Sequence, residues 1–291
     1  MNNLNLAATG NVSLPSQGND PKNDWDGYRM AAVYSVNFDD GPGIRLFYHA
    51  VQLNGSSFVQ EMIWNQKNDS WSKGAEIDKP YPSSHLAVAV DETSKILRLF
   101  FSSGNETLSE QWLDISNTKA GYSSGRISWF AIDLHENANV VVLGLDFRGL
   151  LYDNDADVAA TSLYGTTYVY HYSPSDQKAG AGIHELSISG IPNSINNQET
   201  FNLSSAVVAA PMLTANGKTS FYQPIAVSNS AVMGVSQELY VFWADKVTGD
   251  PTTATSGFGE LSQISRPISN PTWPSTGQQQ IPLGTKNADP S

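Results

Sequence analysis

Two arginine–glutamate pairs recur at matching places in this chain. Arg45 lies in Ile44-Arg45-Leu46-Phe47-Tyr48 and is followed by Val59-Gln60-Glu61; Arg98 lies in Leu97-Arg98-Leu99-Phe100-Phe101 and is followed by Leu108-Ser109-Glu110. A planar guanidinium presents fixed donors and a carboxylate presents acceptors, so such a pair reads vicinal hydroxyl groups, while an aromatic face covers the apolar side of a sugar ring. The plainer chemistry of the same residues is a partly exposed ion pair across neighbouring strands, contributing about 0–1 kcal/mol. Other chemistry leaves little trace. The histidines, His49, His85, His135, His171 and His184, stand at no metal-ligand spacing from one another. Asp153-Asn154-Asp155-Ala156-Asp157 lacks the Gly and the distal Glu of a calcium loop and reads as a polar turn. There is no Gly-x-Ser-x-Gly elbow, His-Glu-x-x-His, Walker loop or glycine-rich nucleotide fingerprint. Neither a metal nor a cofactor is expected.

The elements that must hold these residues are strands. Aligning on hydrophobic-x-Glu adds Ile183-His184-Glu185 after Tyr168-Val169-Tyr170-His171-Tyr172, and Phe258-Gly259-Glu260 after Leu239-Tyr240-Val241-Phe242-Trp243. In this alignment Tyr168 and Leu239 stand where the first two copies have arginine. Ahead of the strand pairs come small-residue runs: Met30–Tyr34, Leu86–Val90, Phe130–Leu134, Val158–Thr161 and Val207–Pro211. Small side chains suit an innermost strand where blades converge on one axis. A helical apolar period is missing, whereas period-two alternation bounded by Asp-Gly, Asn-Gly and Pro-Ser turns is frequent. The expected class is therefore all-β: a single β-propeller of four-stranded antiparallel blades. Five blades fit the span of about 25–273, the third around Val140 to Asp153, or six if Ser205 to Pro224 forms its own. Asn2 to Leu6 is expected to close the last blade, and 274–291 to be an irregular tail.

Composition narrows the partners. With 291 residues, 40% of them hydrophobic, the chain has ample material for one core, and no linker divides it. Cysteine is absent, and no apolar run is long enough for a membrane helix. The net charge of −12 and the scattered Lys and Arg exclude a groove that follows phosphates, so no nucleic-acid partner and no membrane is expected. Sequons at Asn11, Asn54, Asn68, Asn105 and Asn202 suggest a secreted, glycosylated protein whose secretory signal has been removed.

Arg-hydrophobic-aromatic-aromatic, then hydrophobic-x-Glu, then Trp71-Ser72-Lys73-Gly74 at the end of the blade, resembles the fungal fucose-specific lectins over residues 28 to 128. Those lectins are β-propellers with sugar sites between blades, where the Arg and Glu of one blade hydrogen-bond fucose and an aromatic of the following blade stacks on it. The resemblance implies that Arg45 with Glu61, and Arg98 with Glu110, hold fucosylated glycans.

The same resemblance extends to lectin-like hetero-Diels–Alderases of fungal tropolone-sesquiterpenoid pathways, which join a tropolone quinone methide to a sesquiterpene alkene. It implies a cofactor-free pericyclase whose partners are small apolar substrates held in a reactive orientation. Arg98, His85, His171 and Arg45 would then supply catalytic donors and cations to the tropolone oxygen. Tyr28, Met30, Trp129, Tyr170, Tyr222 and Trp243 would line the apolar site, with Tyr164 and Met212 beside them, and Glu110 and Glu61 completing the substrate contacts. For the aromatics, packing between blades is the competing explanation. Because the clamp is missing from most blades of the alignment, the pericyclase leads, followed by a low-valency fucose lectin and a secreted propeller that binds a protein partner.

Overall fold

The computed structural model describes residues 30–51, 57–77, 85–102, 108–124, 158–173, 182–190, 200–203, 208, 223–229, 237–244, 261–274 and 279–281. They form four antiparallel four-stranded sheets. The first is β1 (Met30–Ser35), β2 (Gly43–Val51), β3 (Ser57–Asn65) and β4 (Ser70–Ile77). The second is β5 (Leu86–Asp91), β6 (Ile96–Ser102), β7 (Leu108–Asp114) and the short β8 (Ser123–Ser124). The third is β9 (Val158–Leu163), β10 (Thr166–Ser173), β11 (Gly182–Ser189) and β12 (Thr200–Leu203). The fourth is β13 (Gln223–Asn229), β14 (Glu238–Ala244), β15 (Leu261–Pro267) and β16 (Gln279–Ile281). A single 3-10 turn, Thr118–Ala120, interrupts the strands of the described residues, and none of their helices is long and apolar enough to cross a membrane.

Each sheet is a meander, so its strands lie in chain order. The first strands pack in sequence, β1 on β5, β5 on β9 and β9 on β13, which stacks the sheets face to face like blades. Leu86 to Ala89 are buried on both faces of β5, and their small side chains allow that convergence. Turn chemistry sets the hairpins. Tyr164 and Gly165 connect β9 to β10 with φ of 51° and 81°, both central residues left-handed, the backbone that matches strand twist in a two-residue hairpin. Asp91 ends β5 by accepting the Thr93 N–H at 3.0 Å.

Alternation along each second strand splits its side chains between two neighbours. Phe47 points forward from the first sheet into a core shared with Leu97, Leu99 and Phe101 of the second. Phe100 points forward from the second sheet into a core built with the third and fourth, where Tyr170, Val241 and Trp243 are fully buried. Burying residues of this size removes roughly 1.5–3 kcal/mol each of apolar surface from water, which makes these inter-sheet layers the main source of cohesion.

Two expectations are revised. The fourth sheet begins with β13 rather than with Val207–Pro211, of which only Val208 is described, packed in the core with its N–H bonded to the Ile183 carbonyl at 2.7 Å. The fourth sheet's register also differs. Leu239, Val241 and Trp243 face backward into the third sheet, leaving Tyr240 and Phe242 as the counterparts of Arg45 and Phe47. Gln263, opposite Phe242, therefore occupies the glutamate position. The third blade expected near Val140 to Asp153, the run Phe130–Leu134, the closing strand Asn2 to Leu6 and Glu260 all lie outside the described residues.

Candidate functional site

Where the forward face of one sheet meets the next, an arginine and a glutamate come together at three successive interfaces. All six residues are buried.

The first cluster joins the first and second sheets. Arg45 and Glu61 sit on adjacent strands, Glu61 directly opposite Phe47. Arg45 donates through Nη1 to Glu61 Oε1 at 3.3 Å and through Nη2 to Asp40 Oδ2 at 2.7 Å, with its guanidinium 4.7 Å from the Phe38 ring centroid. Tyr122, from the stretch leading into β8, donates to Glu61 Oε1 at 2.7 Å and meets Phe47 edge-on at 6.1 Å. Glu61 Oε2 accepts the Ala75 N–H at 3.0 Å. Gly74 makes this possible: a Cβ there would lie 2.4 Å from Glu61 Oε2. Burial, together with the neighbouring Glu61 charge that its hydroxyl bonds, pushes the Tyr122 phenol well above its ordinary value. The cluster reaches solvent through Asp40, whose side chain is 38% exposed. The bonds to Glu61 and Asp40 leave further N–H groups of the Arg45 fork without a protein acceptor among the described residues.

The second cluster joins the second and third sheets. Arg98 donates to Glu110 and, through Nη2, to the Gly190 carbonyl at 2.8 Å, and Glu110 is wholly buried. Trp112 stands opposite Arg98 on β7.

The third cluster draws its arginine from the neighbouring sheet. Glu185 lies opposite Tyr170 on β11, and where the other pairs have arginine this sheet has Tyr168. Arg266 of β15 fills the gap. Its Nη2 donates to both carboxylate oxygens of Glu185, at 2.8 and 2.9 Å, and its Nη1 to the Asn270 carbonyl at 3.0 Å. Tyr170 and Trp273 donate to Glu185 Oε2 at 2.8 and 3.0 Å. The Arg266 guanidinium lies 5.2 Å from the Trp273 ring centroid and 5.5 Å from that of Tyr168. Burial, then the Glu185 charge and hydrogen bond, raise the Tyr170 phenol well above its ordinary value; burial also raises that of Tyr168.

Of the residues singled out in the sequence, Arg45, Glu61, Arg98, Glu110 and Tyr170 stand in these clusters. Trp243 is fully buried between the third and fourth sheets. Met30 is 49% exposed on the backward face of the first sheet, and Tyr164 is exposed in its hairpin. His85 is half-buried immediately before β5. His171 lies on β10 opposite Val158 and His184, its side chain outside the described residues, as are Tyr28, Trp129, Met212 and Tyr222. Among the described residues no group of acidic, His or Cys side chains has the arrangement of a metal site. Asn68 is an exposed turn residue, while Asn202 pairs with Ser187 inside the third sheet.

Sequence reasoning passed over Asp40, Tyr122, Arg266 and Trp273. Arg266 did leave a signal, as a cation continuing the inward alternation Ser262-x-Ile264-x-Arg266. Asp40 and Tyr122 lie in loops and had none.

No protein-family model and no curated protein sequence matches the chain. Solved structures do. The chain is similar to AofleA from Arthrobotrys oligospora, with 13% identity and a TM-score of 0.53 over 89% of this chain and 57% of that one. It is also similar to the SapL1 lectin in complex with alpha methyl fucoside, with 16% identity and a TM-score of 0.52 over 87% of this chain and 65% of that one. The fold is a β-propeller. The four described sheets are four of its blades, and the chain spans less than two thirds of the length of either solved propeller.

Proposed function

We propose that this propeller binds a fucose-like sugar at the interface between its first two described blades. The observation that carries the reading is the first cluster: Arg45 and Glu61 of one blade, Tyr122 from the next, and an opening at Asp40. A vicinal diol takes the place of the Asp40 carboxylate. One hydroxyl accepts from the Arg45 fork while another donates to Glu61, and the Phe38 and Tyr122 rings cover the apolar sugar edge. The matched SapL1 lectin, solved with alpha methyl fucoside, supports the ligand class. The second and third clusters keep the same chemistry as closed ties between blades, so low valency is expected.

The cycloaddition reading gains no such support. Of the side chains it assigns to an apolar chamber, Tyr170 and Trp243 are core and Met30 is at the surface. Its ground, a clamp lost from most blades, also weakens once Arg266 is seen to restore the third pair.

Calorimetric titration of the purified chain with methyl α-L-fucoside, in parallel with a stable tropolone analogue, tests the proposal. Binding of the fucoside at about one site per chain, abolished in Arg45→Lys with the unfolding transition retained, is the expected result, because lysine keeps the charge and loses the fork. A folded protein that gives no heat with the fucoside overturns the reading. A response to the tropolone alone would favour the pericyclase.

A further inference from the structure

The first cluster takes side chains from two loops of different blades, and the residue that joins those loops lies outside it. Asp40 comes from the β1–β2 connection of the first blade and Tyr122 from the β7–β8 connection of the second. Asp39 binds the one to the other. Its N–H donates to the Ile115 carbonyl at 2.9 Å, one of its carboxylate oxygens accepts the Thr118 N–H at 3.1 Å, and the other accepts the Thr118 hydroxyl. Thr118 opens the 3-10 turn Thr118–Ala120, and the preceding Asn117 makes no side-chain cap to it. An N–H at the start of such a turn needs an acceptor, and Asp39 supplies a charged one from another sheet.

Both sides of the contact stand on fixed ground. Phe38, which precedes Asp39, and Ile115 are 4% and 0% exposed in the core that the two blades share. Asn65 donates to the Asp40 carbonyl at 2.7 Å, tying the next residue to the first blade. The connection that leads to Tyr122 has less support of its own. Among the described residues, its other hydrogen bonds up to Gly121 are local: Ser116 and Asn117 to Asp114, Ala120 to Asn117 and Gly121 to Thr118. Gly121 has a φ of 77° and nothing within 4 Å of where a Cβ would stand, so the backbone beside Tyr122 has room to turn.

We propose that Asp39 is a positioning residue of the sugar site: by capping Thr118 it holds the Tyr122 stretch of the second blade in register with Arg45 and Glu61 of the first. The inference rests on the reading of the first cluster as a site for a fucose-like sugar. Asp39 itself touches no ligand. It sets the distance between the hydrogen-bonding pair and the ring that covers the apolar sugar edge, and affinity depends on such preorganisation. Its side-chain bonds are exposed, so they contribute little to the stability of the fold.

Carbon-13 NMR of ring-labelled tyrosine in the full chain reads the positioning without any ligand, the Tyr122 and Tyr170 signals being assigned by their loss in Tyr122→Phe and Tyr170→Phe. Burial, then the Glu61 charge and hydrogen bond, raise the Tyr122 phenol against the opposing Arg45 charge. In Asp39→Ala the Tyr122 signal should shift at neutral pH and titrate at lower pH than in the parent, while the Tyr170 signal and the unfolding transition stay in place. Thr118→Val, which keeps the shape and loses the hydroxyl, should do the same in part, and Thr118→Ser should behave as the parent. Calorimetry should show methyl α-L-fucoside bound about tenfold more weakly by Asp39→Ala. An unchanged Tyr122 signal in Asp39→Ala overturns the proposal, and so does a displaced Tyr122 with fucoside affinity intact. A parent chain that gives no heat with the fucoside overturns the sugar reading; the Tyr122 signal, which needs no ligand, then supports or overturns the Asp39 tie by itself.

Discussion

The first and third clusters are made of the same parts and finish differently. Around Glu185, donors from two blades converge on one carboxylate: Arg266 bidentate, Tyr170 and Trp273. Around Glu61 the arginine divides itself between Glu61 and a half-exposed Asp40. A carboxylate saturated by its own protein is a rivet between blades. An arginine whose second partner lies at the solvent boundary can exchange that partner for a ligand. Arg–Glu pairing by itself therefore reports neither function nor decay; the deciding quantity is where the spare hydrogen-bonding capacity ends up.

The largest effect is expected at the rivet. Glu185→Ala leaves the Arg266 guanidinium buried without its carboxylate and should cost about 3–5 kcal/mol, read by urea or thermal unfolding. Glu185→Leu combined with Arg266→Met, which removes both charges together, should recover much of that loss. A double variant as unstable as Glu185→Ala would mean that the pair contributes more than it costs to desolvate.

Gly74→Ala comes next. The new methyl group would collide with the Glu61 carboxylate, so a loss of about 1–3 kcal/mol is expected together with loss of fucoside binding, whereas the third cluster stays intact. Retained binding would detach the sugar site from Glu61.

Alkaline pH probes both clusters at once. The Tyr122 and Tyr170 phenols are raised well above 10.0 in the folded protein. Below pH 10.0 both states keep these protons, and stability is unaffected. Above it the unfolded chain releases protons that the folded chain retains, so stability falls as pH rises toward the folded values. Phenolate absorbance of these two tyrosines should appear only with unfolding. Phenylalanine at 122 or 170 should remove one slow-titrating group each.

Asp40→Asn should change stability least, by about 1 kcal/mol or less, because its carboxylate is partly solvated. Its effect on binding is the sharper reading. Freed from a competing charge, Arg45 should take methyl α-L-fucoside more tightly in the titration. Weaker binding would make Asp40 a sugar acceptor rather than a placeholder.

Much of the strand framework was legible because period-two alternation and turn residues are local properties. Leu86–Val90, Leu97–Phe101 and Tyr168–Tyr172 could be placed from their own residues. The fourth blade shows where that stops. Leu239-Tyr240-Val241-Phe242-Trp243 is apolar throughout, so alternation does not say which face is which, and a one-residue difference exchanges the faces. Only pairing with Ser262, Ile264 and Arg266 places Leu239 backward and Tyr240 forward. Val207–Pro211 misled for a related reason: a small apolar run suits an inner strand, yet β13 takes that place.

The sequence by itself determined the class of fold, the recurrence of Arg45–Glu61 and Arg98–Glu110, and the absence of metal and nucleotide motifs, since each rests on residue types at short spacing. The tertiary structure decided which arginine meets which glutamate. Arg266 reaches Glu185 from 81 positions away because two faces pack together. Tyr122 and Asp40 join Arg45 and Glu61 from loops whose conformation no local pattern encodes. Openness to a ligand belongs to that second category: it depends on how neighbouring blades use up one another's donors and acceptors, and no single strand contains that information.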